Sequence, residues 1–353
     1  MLRGKTQTTN LMPGRTEHRL TVVLGAGSSY DCAGGETPVR SDPRHRPPLA
    51  KDLFSPAFET ILARYPKVGA RADEFRTKLA KGQSFEDIFR KVLESAYRNG
   101  AIWPYQVPLY LREVLWTVSD DYLQGSSKFD TLVRSVLESK FRQVLFVNLN
   151  YDLFLERALT DYDGHDFNDL GSYSPASKRW FYVKPHGSVN WGSILENCPT
   201  DGAGVLRPSL LKEAPVLSKD LIPVMWSRWS GDFYTPGGNP PGFPYPRIIV
   251  PANEPKEFIC PENQVQMAKR FMGECDHFLL IGFSGHDSHI VDLLKHIPDA
   301  SRVVIVSGGD ATEVLQRLRS RIETLVSGVK VDLHNEGFGK YIEGLAFESL
   351  VEA

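Results

Sequence analysis

Five consecutive residues, Asn148-Leu149-Asn150-Tyr151-Asp152, place two amides and a carboxylate between the apolar run Val144-Leu145-Phe146-Val147 and the amphipathic run from Leu153 to Leu159. Amides donate and accept hydrogen bonds, and a carboxylate accepts them and carries charge, so the stretch has the chemistry to orient a polar ligand. A second apolar run, Trp180-Phe181-Tyr182-Val183, ends in Lys184-Pro185-His186-Gly187. His186 adds an imidazole, whose ordinary pKa of about 6.5 suits proton transfer near neutrality. A third run, Leu20 to Leu24, ends in Gly25-Ala26-Gly27-Ser28-Ser29. Glycine lets a backbone approach a phosphate closely, and a helix starting there offers N–H groups and a positive dipole end to a diphosphate. Tyr30 stands where G-x-G-x-x-G has its last glycine, so the dehydrogenase fingerprint is incomplete. Ser284 and Ser307 follow two further apolar runs. Each group also has a purely structural reading. Asn150 and Asp152 suit a helix cap, His186 a satisfied core histidine, the serines ordinary turns, and the glycines a plain strand-to-loop turn.

The elements that must position these groups follow from periodicity. Short apolar runs at 20–24, 144–147, 180–183, 247–250, 278–281, 302–306 and 329–333 read as strands. Helical periods fill 153–159, 262–271, 290–297, 312–325 and 338–350. Strands alternating with helices predict an α/β fold with a doubly wound, mainly parallel sheet, whose strand C-terminal ends share one ligand-binding edge. Residues 1–19 read as a polar, flexible arm, and Cys32 to Pro48 as a lid-like loop. A helical insertion spans about 49–137, with Ser84 as N-cap and Phe85, Ile88, Phe89, Val92 and Leu93 on one face. An irregular insertion, rich in Trp and Pro, spans about 192–246, with Trp226, Trp229 and the run Gly237 to Gly242.

Composition narrows the class. The 353 residues are 41% hydrophobic, enough for sizeable cores, and 41 basic against 43 acidic residues leave a net charge of −2. No global basic field invites direct nucleic-acid binding, and no run reaches the roughly 18 apolar residues of a membrane span. A cytoplasmic protein is the expectation. Cys32, Cys198, Cys260 and Cys275 form no C-x-x-C pair, so neither a zinc ribbon nor a disulfide framework is expected.

The ordered set Gly25-Ala26-Gly27-Ser28, Asn148 to Asp152, Lys184-Pro185-His186-Gly187 and Gly282-Phe283-Ser284 resembles the sirtuin family, more particularly bacterial sirtuin-like proteins that lack the zinc module. The motifs span about three quarters of the chain. The resemblance implies a Rossmann-like domain over 20–353 that takes NAD as substrate. Asn150, Asp152 and His186 would lie at the nicotinamide ribose, Gly25, Ala26, Gly27 and Ser28 at the diphosphate, and Gly282, Ser284 and Ser307 towards the adenosine half. Two departures count against acetyl-lysine deacylation. Both zinc-binding cysteine pairs are missing, and Gly34-Gly35-Glu36-Thr37-Pro38 keeps only the glycine and proline of the family's G-I-P-D-F-R loop. They favour NAD hydrolysis, the activity associated with sirtuin-like effectors of bacterial anti-phage defence. A non-catalytic sensor of NAD or ADP-ribose and an NAD-dependent deacylase are the alternatives. In the hydrolytic scheme Asp152 stabilises the oxocarbenium-like transition state, Asn150 orients a ribose hydroxyl or water, and His186 accepts a proton, with no metal required. A homo-oligomer is expected, controlled by a separate activating protein such as an ATPase or an Argonaute-like protein.

Overall fold

The computed structural model describes residues 18–352, apart from 33–46, 50–51, 82, 84, 123–126, 203–207, 227–232, 235–241, 249–257, 286–287 and 309–311. The arm 1–17, most of the loop after Cys32, Ser84, Trp229 and Gly237 to Pro241 thus lie outside the described residues.

The chain opens with β1 (Arg19–Leu24) and the short α1 (Ala26–Tyr30). A helical block follows: α2 (Glu59–Leu62), α3 (Pro66–Gly69), α4 (Ala72–Ala80), α5 (Phe85–Asn99) and α6 (Val107–Tyr122). In α5 the buried Phe85, Ile88, Phe89, Leu93 and Ala96 recur at helical spacing and face the aromatic core of the block. There Phe54 stacks on Phe75 at 4.5 Å and on Tyr110 at 5.4 Å. Next come α7 (Lys128–Glu138), β2 (Gln143–Asn148), α8 (Phe154–Asp163) and β3 (Trp180–Val183). Helix α7 starts at a capping box, the Ser127 hydroxyl and the Asp130 carboxylate each taking up an amide of the first turn.

Residues 187–248 hold more order than their composition announces. Strand β4 (Gly187–Leu195) lies antiparallel between β5 (Ile222–Pro223) and β8 (Phe243–Ile248), while β6 (Met225–Trp226) and β7 (Phe233–Tyr234) form a separate pair. Strand β8 carries Pro244 and Pro246, residues that cannot donate to a ladder, which is why it reads as loop. Helix α6 ties it to the block, Arg112 Nη1 donating to the Pro244 carbonyl at 2.7 Å.

The chain then returns through α9 (Glu262–Gly273), β9 (His277–Ile281), α10 (Ser288–Leu294), β10 (Arg302–Val306), α11 (Thr312–Leu325), β11 (Lys330–His334), α12 (Phe338–Tyr341) and α13 (Leu345–Glu352). The main sheet has the order β11-β10-β9-β1-β2-β3, every neighbour parallel. The chain builds outward from β1 to β3, then starts again on the other side of β1 and builds outward to β11. This is the 3-2-1-4-5-6 order of a doubly wound Rossmann-like sheet, and its switch point is the crevice between β1 and β9. Central strands buried on both faces are near-continuous Val, Leu, Ile and Phe, whereas the edge strand β11 admits Lys330 and Asp332. Each buried aliphatic or Phe side chain contributes roughly 1.5–3 kcal/mol, so the central strands anchor the fold. No helix among the described residues is long and apolar enough to cross a membrane.

Candidate functional site

Register brings the strand ends level. Leu24 pairs with both Asn148 and Ile281, Val147 with Val183, and Val306 with Ile281 and His334. The loops bearing Gly25, Asn150, His186, Ser284 and Ser307 therefore leave the sheet along one edge.

The glycine turn is packed backbone against backbone. A Cβ on Gly25 would stand 2.5 Å from the Gly282 carbonyl oxygen, and one on Gly282, at φ +62°, 2.3 Å from the Ser28 amide nitrogen. No side chain fits such contacts, so both glycines are required by the switch point itself, whatever binds there. The amides of the turn are largely engaged. Gly25 N donates to Ile281 O, Gly27 N to Gly282 O and Ser28 N to Gly25 O, at 2.9–3.1 Å. Room for a diphosphate among these N–H groups is correspondingly narrower than the sequence suggests.

Asn150 stands where β2 gives way to α8. The Asn148 carboxamide oxygen accepts from Asn150 N at 3.0 Å, turning the chain, while Asn148 Nδ2 donates to Tyr182 OH at 2.9 Å. The Asn150 carboxamide reaches across to β1. Its Nδ2 contacts Gly25 O and Ser28 Oγ at 3.1 Å and Ser29 Oγ at 2.8 Å. Two N–H groups meet three acceptors, so Asn150 clamps the glycine turn to β2, and Oδ1 is the atom left to meet a ligand.

Asp152 is buried beside it and does two things. Oδ1 accepts from Phe154 N at 3.3 Å at the start of α8, and the carboxylate takes a hydrogen bond from the Ser29 side chain. Burial pushes its pKa up, against the attraction of Lys184 and the Ser29 bond, and the nearby Glu156 charge adds to the rise. Asp152 is thus both a helix-start residue and a perturbed acid at the sheet edge.

Beneath it lies a closed ionic network that sequence reasoning passed over. Lys184 Nζ, with no solvent exposure, donates to Glu156 Oε1 at 2.9 Å and to the Asp152 carbonyl. Glu156 also accepts from Tyr182 OH at 2.8 Å and Tyr173 OH at 3.4 Å. Burial, with the Glu156 charge next in weight, holds both phenols well above the usual tyrosine range, so they are neutral donors. The signals were present: Glu156 follows Asp152 at i+4, and Lys184 is a lone charge at the end of an apolar run.

His186 occupies the turn between β3 and β4, closed by Gly187 N donating to Lys184 O at 3.0 Å. Gly187 has φ +79°, and a Cβ there would meet the Arg247 carbonyl oxygen at 2.0 Å. The imidazole is half-buried, its centroid 6.4 Å from that of Tyr151, which packs against the helical block. The structure thus joins Asn150 to Ser28 directly and to Asp152 through Ser29, and places His186 on the neighbouring loop. Ser284 is exposed beyond β9, its carbonyl held by Arg317 at 2.8 Å, and Ser307 is fixed through its backbone to His334 and Gly337. Among the described residues no contact links either serine to Asn150 or Asp152.

No protein-family model and no curated protein matches the chain. Among solved structures it is similar to Sir2Tm bound to a propionylated peptide, at 12% identity over 95% of this chain and 94% of that one, with a TM-score of 0.37. It is also similar to a Sir2 homolog–NAD complex, at 14% identity over 94% and 88%, with a TM-score of 0.36. A Sir2–p53 peptide–NAD+ structure gives 14% identity over 95% and 94%, with a TM-score of 0.37. Superpositions this loose transfer no residue's role, and the α/β fold rests on the strand order itself.

Proposed function

We propose that the protein is an NAD glycohydrolase that cleaves NAD to nicotinamide and ADP-ribose at the edge carrying Asn150, Asp152 and His186. The observation that carries the reading is a buried, hydrogen-bonded polar cluster at the C-terminal ends of β1 and β2, next to the switch point between β1 and β9 where ligands of such sheets bind. Cleavage of the nicotinamide bond builds positive charge on the ribose, which an ionised Asp152 stabilises through space. Asn150, held rigidly by the glycine turn, presents Oδ1 to a ribose hydroxyl. His186 takes the proton from the attacking water. The main-chain edge from Gly25 to Ser28, with Gly282, Ser284 and Ser307, lines the rest of the nucleotide. Unrestrained hydrolysis would drain NAD, so the proposal includes an anti-phage defence role with control by self-assembly or a separate activator.

One observation favours a second reading, an NAD or ADP-ribose sensor without turnover. Asn150 Nδ2 is fully engaged within the protein, and Asp152 is drawn towards its neutral form. Nicotinamide release and NAD binding, measured on purified protein, its His186→Ala and Asn150→Ala variants, and protein with candidate activators, decide between the two. Hydrolysis predicts turnover that both variants lose. Tight NAD binding without nicotinamide under any condition favours the sensor, and equal turnover by wild type and variants rejects the assignments.

A further inference from the structure

At the opposite edge of the sheet, where β1 and β9 begin, two imidazoles converge on one carboxylate. His18 Nδ1 contacts Asp276 Oδ2, and His277 Nδ1 lies 3.2 Å from Asp276 Oδ1. One ligand atom from each residue falls within 4.8 Å of the others. We propose that His18, Asp276 and His277 form a divalent transition-metal site of the zinc class, which staples the start of β1 to the start of β9.

Three features support a metal over a simple ion pair. His277 Nδ1 is buried and makes no well-aligned hydrogen bond among the described residues; its partner is the Asp276 carboxylate at 3.2 Å, whose pKa, against the opposing effect of burial, the contacts with His18 and His277 lower. A buried imidazole nitrogen whose one partner is poorly aligned is under-satisfied, and a cation between it and the carboxylate accepts a lone pair from each. Next, tetrahedral zinc with bonds of about 2.0–2.1 Å sets its ligand atoms about 3.3 Å apart, close to the 3.2 Å between His277 Nδ1 and Asp276 Oδ1. His18 is half-exposed next to the start of β1, and its Nδ1 contacts the other carboxylate oxygen, Asp276 Oδ2.

The surroundings also hold the ligands in place. Asp276 Oδ1 accepts from Arg19 N at 3.1 Å, and the Asp276 carbonyl accepts from Arg302 N at 2.9 Å. The His277 ring is braced edge-on by His18 at 5.1 Å and Phe141 at 5.3 Å. Two of the neighbouring guanidinium groups are turned elsewhere, Arg19 to Glu274 and over Phe271, Arg302 to Asp332. The proposed nucleotide chemistry lies at the other end of these strands and needs no metal, so the two proposals stand or fall separately.

The test is titration of the chelator-treated full-length protein with Co2+, followed by visible absorption, with Zn2+ as competitor and the melting temperature as second readout. Expected is one Co2+ per chain with the intense bands of low-symmetry coordination, displacement by Zn2+, and a rise in melting temperature with either metal. His18→Ala and Asp276→Asn should each weaken binding at least about tenfold, while His296→Ala binds as wild type does. His18 is half-exposed, so His18→Ala keeps the fold, which circular dichroism without metal verifies. Absence of saturable Co2+ binding, or binding equally tight in both trio variants, overturns the proposal and leaves an ion pair only.

Discussion

Replacing Lys184 with Met removes the cation from the buried network while keeping most of its apolar volume. The side chains of Lys184 and Glu156 are 0% and 6% exposed, and their 2.9 Å contact leaves no room for intervening water. In Lys184→Met, Glu156 retains the hydroxyls of Tyr182 and Tyr173 but faces them as an uncompensated charge, and the Asp152 carbonyl loses its donor. Breaking a buried pair from one side costs about 3–5 kcal/mol, whereas replacing both members with neutral groups of similar volume is often near neutral. At 1.36 kcal/mol per decade, a loss of 4 kcal/mol lowers the folded-to-unfolded ratio by about three orders of magnitude. Urea unfolding, followed by fluorescence with the buried Trp180 and Trp191 as reporters and by circular dichroism, measures this. Lys184→Met and Glu156→Gln should each fall in that range when made alone, and the double variant should recover most of the loss. The cycle isolates the coupling from the separate effects of each substitution. If Lys184→Met costs less than about 1 kcal/mol, or the double variant is additive, the network is hydrated in solution and the reasoning fails.

Three more outcomes follow from the same geometry. Asn150→Ala removes the clamp on the glycine turn and should cost about 1–3 kcal/mol in urea unfolding, besides abolishing NAD turnover; stability equal to wild type would show that the clamp is not formed. Asp152 has a raised pKa when folded, so the folded state holds its proton more tightly than the unfolded chain. Its contribution is complete below the ordinary carboxylate value and is lost as pH rises through the folded one. Asp152→Asn should therefore gain stability relative to wild type as pH is raised from about 4 towards 7, and a gap that moves the other way rejects the assignment. Gly282→Ala forces a Cβ against the Ser28 amide at φ +62° and should cost more than about 3 kcal/mol, whereas Gly308→Ala, with open space around it, should unfold within about 0.5 kcal/mol of wild type.

What was legible in the amino-acid order was local. Apolar runs bounded by polar turns marked all six parallel strands, unbroken in the strands buried on both faces and interrupted by Lys330 and Asp332 in the edge strand β11. The helical block declared itself through the repeat of Phe85, Ile88, Phe89 and Leu93 on one face of α5. Polar residues at strand ends were equally plain, since only there can a chain carry Asn150, Asp152 and His186 without burying them in the sheet. Strand β8 was legible only at its end, Arg247 and Ile248; up to Pro246 its alternating prolines carry the composition of a loop, and only pairing with β4 makes it a strand. Which neighbours the site residues meet was decided by the tertiary structure, because those distances are set by strand order. Placing β1 between β2 and β9 sets Gly25 against Gly282 and turns the Asn150 amide onto Ser28 and Ser29, and placing β3 beside β2 closes Lys184 on Glu156. The same order brings His18 to His277, residues 259 positions apart, at the other end of the same two strands.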